Sequence, residues 1–154
     1  MQASLAVPSL SLGTLSPDYP GDPLHHVLGR LLVAARANEL QVLDGPFLGI
    51  HDLEGLRAAA RRVAALGYDG KWVLHPAQVD AVNETFTPQQ SEYDRAELIL
   101  DAYAYWTSEA GGMRGAVMHE DEMIDEASRK MARVLSARGR AAGLTRTRTF
   151  SPPA

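Results

Sequence analysis

The sequence predicts an α/β chain, and three observations carry that reading. Two short apolar stretches, Leu40-Gln41-Val42-Leu43-Asp44 and Lys71-Trp72-Val73-Leu74-His75, each run into a turn closed by proline. An amphipathic helical pattern from Asp52 to Leu66 separates them, and helical patterns also precede the first and follow the second. Two strands joined through a helix are almost always parallel with a right-handed crossover. The faces of such strands must be covered by helices or by the rest of a barrel.

Each element has a local reason. Residues 13–23 carry three prolines and two glycines, which favours a loop with turns. From Leu24 to Asn38, Leu24, Val27, Leu28, Leu31, Leu32 and Ala35 recur at helical spacing, with Asp22 and Pro23 placed as cap and first helical residue. Gly45-Pro46 stops the first strand because proline cannot donate to a ladder. The Asp52–Leu66 helix puts Leu56, Ala59, Ala60 and Val63 on one face, and Gly67 is placed to close it with a left-handed cap. Pro76 ends the second strand. A long helix is predicted from Pro88 to Glu109, with a stripe of Tyr93, Ala96, Ile99, Leu100, Tyr103 and Trp106, broken by Gly111-Gly112. A last helix is predicted from His119 to Arg138, its acids Glu120, Asp121 and Glu122 in the first turn and its bases later, as the helix dipole favours. Ile124, Ala127, Met131, Val134 and Leu135 would be its buried face. The basic tail, 139–154, is expected to be disordered or loosely docked.

Composition bounds the function. The 154 residues, 45% apolar and 22% charged, suffice for one domain with a real core. The net charge of −4 argues against a nucleic-acid protein. The unevenness of the charge, seven basic residues and no acid from Arg129 onward, is largely explained by the last helix. There is no cysteine, hence no disulfide, thiolate metal site or thiol nucleophile. Neither a membrane span nor a signal peptide is indicated, so a cytoplasmic protein without membrane partners is expected. Walker, nucleophile-elbow, zinc-helix and dinucleotide signatures are all missing.

Functional groups in α/β proteins gather at the carboxyl ends of strands, which selects Asp44-Gly45-Pro46 and His75-Pro76-Ala77-Gln78. Asp44 suits either a ligand clamp or an Asx-turn. His75 suits substrate binding, acid–base work or a hydrogen bond to a neighbouring loop. Gln78 can both donate and accept, toward a carbonyl or phosphate or as a helix-start cap. Lys71, at the opposite end of its strand from His75, is not expected to share that site. Asp125 alone reads as one more carboxylate complementing a helix dipole.

At these residues the chain resembles a known group. Leu40 to Phe47, Gly67-Tyr68-Asp69-Gly70-Lys71-Trp72-Val73-Leu74-His75-Pro76-Ala77-Gln78 and Asn83 to Pro88 are similar to the carboxyl-terminal part of the citrate lyase beta-subunit-like enzymes of the HpcH/HpaI aldolase superfamily. Within it, the malyl-CoA and citramalyl-CoA lyases are nearest in wording, over about residues 1–142. The resemblance implies the carboxyl-terminal portion of a TIM (β/α)8 barrel. Residues 1–87 would be the barrel segment with the last two βα units, 88–142 a helical lid and 143–154 a disordered tail.

It also implies a carbon–carbon lyase acting on a 3-hydroxyacyl-CoA thioester with Mg2+. A developing enolate is costly unless a metal or donors are already aimed at it. Asp44, Gly45, Pro46, His75, Pro76 and Gln78 would line the mouth where coenzyme A lies. Gly115-Ala116 with Met123-Ile124-Asp125 matches the lid segment whose aspartate serves a neighbouring subunit as acid/base, which gives that role to Asp125 in a homo-oligomer with exchanged lids. The family's arginine, glutamate and metal-binding aspartate would align before Met1, so no metal site is recognisable here. The fold implied takes roughly 250 residues. The chain is therefore expected to be a carboxyl-terminal fragment, inactive alone. Alternatives are a non-catalytic subunit that assembles with a full-length paralogue and a non-functional truncation product.

Overall fold

The computed structural model describes residues 24–119 and 121–152. The loop expected at 13–23, the Asp22-Pro23 cap and Glu120 lie outside the described residues. The chain divides into two compact units, one ending at Phe86 and the other beginning at Thr87.

The first unit is built in the order helix α1 (His25–Ala37), strand β1 (Leu43–Asp44), helix α2 (Leu53–Leu66), strand β2 (Gly70–Lys71), a 3-10 turn (Pro76–Gln78) and helix α3 (Val79–Phe86). The strands pair in parallel, Leu43 opposite Gly70 and Asp44 opposite Lys71. The two expected five-residue strands are thus two residues each, and the second begins one residue earlier. His75 is consequently not a strand residue: it precedes the 3-10 turn, with extended backbone. Helix α2 is delimited as its sequence demands. Asp52 accepts a hydrogen bond from the Gly55 amide at 2.8 Å, and Gly67 closes the helix in the left-handed region at φ 108°.

One cluster of this unit gathers Leu28, Ala35, Val42, Val63 and Tyr68. Another gathers Leu56, Ala81 and Val82, and Phe86 packs against both. Leu43, Trp72 and Leu74 remain exposed among the described residues, so the expected coverage of both strand faces is not met there. At the amino ends of the strands, Arg36 grips Asp69 with two bonds of 2.7 and 2.9 Å and also donates to the carbonyls of Leu40 and Gly67. Asp69 in turn accepts from the Val42 amide at 2.8 Å.

The second unit comprises helix α4 (Gln90–Trp106), strand β3 (Val117–His119), strand β4 (Glu122–Ile124) and helix α5 (Glu126–Ala141). Helix α4 opens on a capping box between Gln89 and Glu92, two residues later than expected, and ends three residues earlier. The helix expected to start at His119 instead starts at Glu126. Strands β3 and β4 pair antiparallel, with Val117 opposite Ile124. The pairing forms because Val117 and Ile124 bury together with Ala102, against Ile99, Tyr103, Trp106 and Phe150. Tertiary burial thereby overrides the acidic stretch that read as a first helical turn.

The buried face of α5 is also not the expected one. Ala132, Ser136 and Gly139 are buried, whereas Met131 and Val134 are exposed. Small residues face α4 because the backbones approach closely: a Cβ at Gly139 would collide with the Tyr93 ring. The tail, expected to be loose, is docked over its described length. The Thr147 amide and hydroxyl donate to Asp94, Arg146 pairs with Asp101 and Glu97, and the Phe150 ring lies 5.7 Å from Tyr105 and 5.4 Å from His119. The hydrogen bonds from Thr147, its hydroxyl first, hold the Asp94 carboxyl below the usual carboxylate range. The bases Arg140 and Arg146 read from sequence as part of a disordered or loosely docked tail because their acidic partners lie more than forty residues away. No described helix is long and apolar enough to cross a membrane.

Candidate functional site

The carboxyl ends of β1 and β2 bring two oppositely charged side chains together. Asp44 Oδ2 lies 2.5 Å from Lys71 Nζ, with the side chains 8% and 4% exposed. The same ammonium donates to the Gly45 carbonyl at 2.8 Å, and the Trp72 amide donates to the Asp44 carbonyl at 2.9 Å. Lys71 therefore belongs to the strand mouth, a correction to the sequence reading, which set it at the far end of a longer strand. No local signal in the sequence marks it, because the contact follows from the parallel register Asp44↔Lys71 of the folded sheet. Tyr68, buried beside the pair, has its hydroxyl pushed up to about 12, first by burial and then by the Asp44 charge. It donates to the Leu28 carbonyl at 3.2 Å.

Gln78 is fully buried and links the two mouth loops. Its Oε1 accepts from the Leu74 amide at 2.9 Å, and its Nε2 donates to the Phe47 carbonyl at 3.1 Å. Gly45 is buried and Pro46 half-buried, while His75 and Pro76 are exposed. His75 Nδ1 accepts from the Ala77 amide at 3.1 Å, so the neutral ring carries its proton on Nε2. That leaves an outward-facing N–H donor at the mouth.

Asp125 belongs to the second unit and is the amino-terminal cap of α5. Its Oδ1 accepts from the Ser128 amide at 2.8 Å and from the Ser128 hydroxyl at 3.1 Å. The Ser128 amide and then the Ser128 hydroxyl hold its carboxyl below the usual range, against a smaller opposing effect of burial. Asp125 is thus an ionised group of fixed orientation, capping the helix rather than lying on it as the sequence reading had it.

Among the described residues no group of three or more His, Asp or Glu is arranged to hold a metal ion. The one buried carboxylate at the strand mouth, Asp44, is committed to an ammonium, which is the wrong neighbour for a divalent cation. The described residues do not fit Mg2+.

The fold is shared with solved structures. CitE of Mycobacterium tuberculosis, in complex with magnesium, acetoacetate and coenzyme A, superposes with a TM-score of 0.66 at 28% identity, over 90% of this chain and 50% of that one. A citrate lyase of Burkholderia xenovorans superposes with a TM-score of 0.60 at 24% identity, over 80% of this chain and 37% of that one, which supports the fold.

In sequence, the chain is 40% identical to the L-malyl-CoA/beta-methylmalyl-CoA lyase of Cereibacter sphaeroides over 114 residues, 74% of this chain and 35% of the relative. A (3S)-malyl-CoA thioesterase of the same species is 40% identical over 76 residues, 49% of this chain and 27% of the relative. No family model matches. Over the matched segment the chain belongs with the citrate lyase beta-subunit-like proteins, among relatives named malyl-CoA lyases. It spans about a third of the length of those lyases.

Proposed function

We propose that this chain is the carboxyl-terminal part of a TIM-barrel carbon–carbon lyase for a 3-hydroxyacyl-CoA thioester, residues up to 87 ending the barrel and residues 88–142 forming its lid. The observation that carries the reading is the buried Asp44–Lys71 pair, seated where two parallel strands end, in a segment 40% identical to malyl-CoA lyases. In this reading Asp44, Gly45, Pro46, His75, Pro76 and Gln78 are positioning groups for the coenzyme A thioester. The Nε2–H of His75 supplies a donor for a carbonyl or phosphate oxygen.

Cleavage removes the proton of the 3-hydroxyl and breaks the C2–C3 bond. The bonding pair is left on the thioester enolate, and C2 then takes up a proton. Held ionised and fixed by Ser128, Asp125 is set to take the 3-hydroxyl proton in cleavage and deliver it to C2, and in the bond-forming direction to take the C2 proton and deliver it to the new 3-hydroxyl. The lid reaches the site of a neighbouring copy in a homo-oligomer. Mg2+, present in the CitE complex, would supply charge stabilisation through residues other than those described here. Cytoplasmic location belongs to the same proposal.

Titrating acetyl-CoA into the chain is expected to give saturable binding that His75→Ala weakens. No binding at millimolar acetyl-CoA would sink the reading. In an assembly with a full-length relative that turns over malyl-CoA, Asp125→Asn in this chain is expected to lower release of acetyl-CoA sharply at unchanged affinity. Unchanged turnover would remove Asp125 from the chemistry. Release of free thiol instead of acetyl-CoA would make the reaction a thioester hydrolysis, in line with the thioesterase relative.

A further inference from the structure

We infer that Lys71 is the positioning residue of the strand-mouth turn, a role that rests on the coenzyme A reading above for its ligand but not for its geometry. Two carbonyls of that turn, Gly45 and Phe47, are held by two buried side chains, one from the last residue of β2 and one from the 3-10 turn. Lys71 donates to the first at 2.8 Å and Gln78 to the second at 3.1 Å. The turn is thus suspended at both ends, with Pro46 stiffening its middle.

The cation at the other end of the sheet shows what a purely architectural pair looks like here. Arg36 is half-exposed, and it and Asp69 together bind the backbone of Leu40, Gly67 and Val42, knitting α1 to both strand starts. Lys71 knits no such set. Among the described residues its two bonds go to Asp44 and Gly45, both within the mouth, and it is buried deeply enough that water does not compete for them. A buried ion pair is a poor choice for stability alone, because desolvation offsets most of its attraction. Fixing a turn that must meet a ligand without rearranging is what such a pair accomplishes, since order already present in the free protein is not lost on binding.

The test compares Asp44→Asn with Asp44→Asn/Lys71→Gln, which keeps polar side chains of similar size at both positions and leaves no lone buried charge. Hydrogen exchange across residues 45–48 and acetyl-CoA affinity are read on both, with Lys71→Arg as the conservative variant. Adding Lys71→Gln is expected to speed exchange of the turn at least tenfold and to weaken acetyl-CoA at least tenfold beyond Asp44→Asn. The double variant is expected to melt no lower than Asp44→Asn, whose Lys71 charge lacks its partner, so that its faster exchange is local to the turn, and Lys71→Arg should retain most of the affinity. Turn exchange unchanged by Lys71→Gln would overturn the role, whether or not the chain binds acetyl-CoA. Faster exchange with equal affinity would reduce Lys71 to architecture. Should the double variant fail to fold, Lys71→Arg alone decides, and wild-type exchange with tenfold weaker affinity in that variant would overturn the inference. Exchange sped by Lys71→Gln, with no acetyl-CoA bound even by the wild type, would leave the geometry standing and sink the coenzyme A reading instead.

Discussion

Asp44 in the first unit and Glu97 in the second are both buried carboxylates, but they are neutralised differently. Asp44 meets one ammonium that is itself removed from water. Glu97 is ringed by Ser136, Arg140 and Arg146, and the Arg140 side chain remains 60% exposed. Burial by itself would raise the Glu97 carboxyl. Hydrogen bonds from Ser136, Arg146, Arg140 and Tyr93 outweigh burial and hold it at about 2. The difference is one of consequence: if Glu97 is lost its arginines can turn to water, whereas a lost Asp44 or Lys71 strands its partner's charge in the interior.

The largest expected effect follows from that contrast. Lys71→Met alone should destabilise the chain by about 3–5 kcal/mol, while Lys71→Met/Asp44→Leu should return to near wild-type stability. Urea unfolding monitored by circular dichroism checks both. A single variant no worse than the double would mean that water reaches the pair, and the contrast with Glu97 would collapse.

Glu97→Gln is expected to cost about 2 kcal/mol, in the range for hydrogen bonds to charged groups. It also has a pH signature. The folded carboxyl lies near 2 and its ordinary value is 4.5, so its contribution is fully present above about pH 4.5 and is lost as the pH falls toward 2. Melting curves across that window should fall more steeply for the wild type than for Glu97→Gln. Parallel curves would show that the ring of donors does not set the titration.

The smallest effect is at Asp125. Asp125→Ala should lower the melting temperature slightly through loss of the helix cap, and Asp125→Asn, a cap of equal rank, should not. A loss with asparagine equal to that with alanine would point to the charge rather than the hydrogen bond to Ser128.

Much of the first unit was legible because its signals are local. Asp52 and Gly67 mark the ends of α2 by capping chemistry, and Leu28 and Ala35 fall on the buried side of α1 as their spacing requires. Gly45-Pro46 located the end of β1 beside Asp44, whereas His75-Pro76 set the end of the second strand four residues beyond Lys71, where β2 stops. The second unit was less legible. The β3–β4 pairing, the buried face of α5 and the docking of the tail all depend on burial against partners distant in sequence, which neither periodicity nor the order of charges reveals.

By itself the sequence determined both ends of α2, the turn that closes β1 and which relatives it resembles, because caps, prolines and short motifs act over a few residues. The tertiary structure decided which charges meet. Lys71 reached Asp44 only through the parallel register of two strands. Glu97 reached Arg140 and Arg146 only because α5 and the tail pack along α4. The energy of such pairs depends on burial and on contact across the chain, and both exist only once the chain has folded.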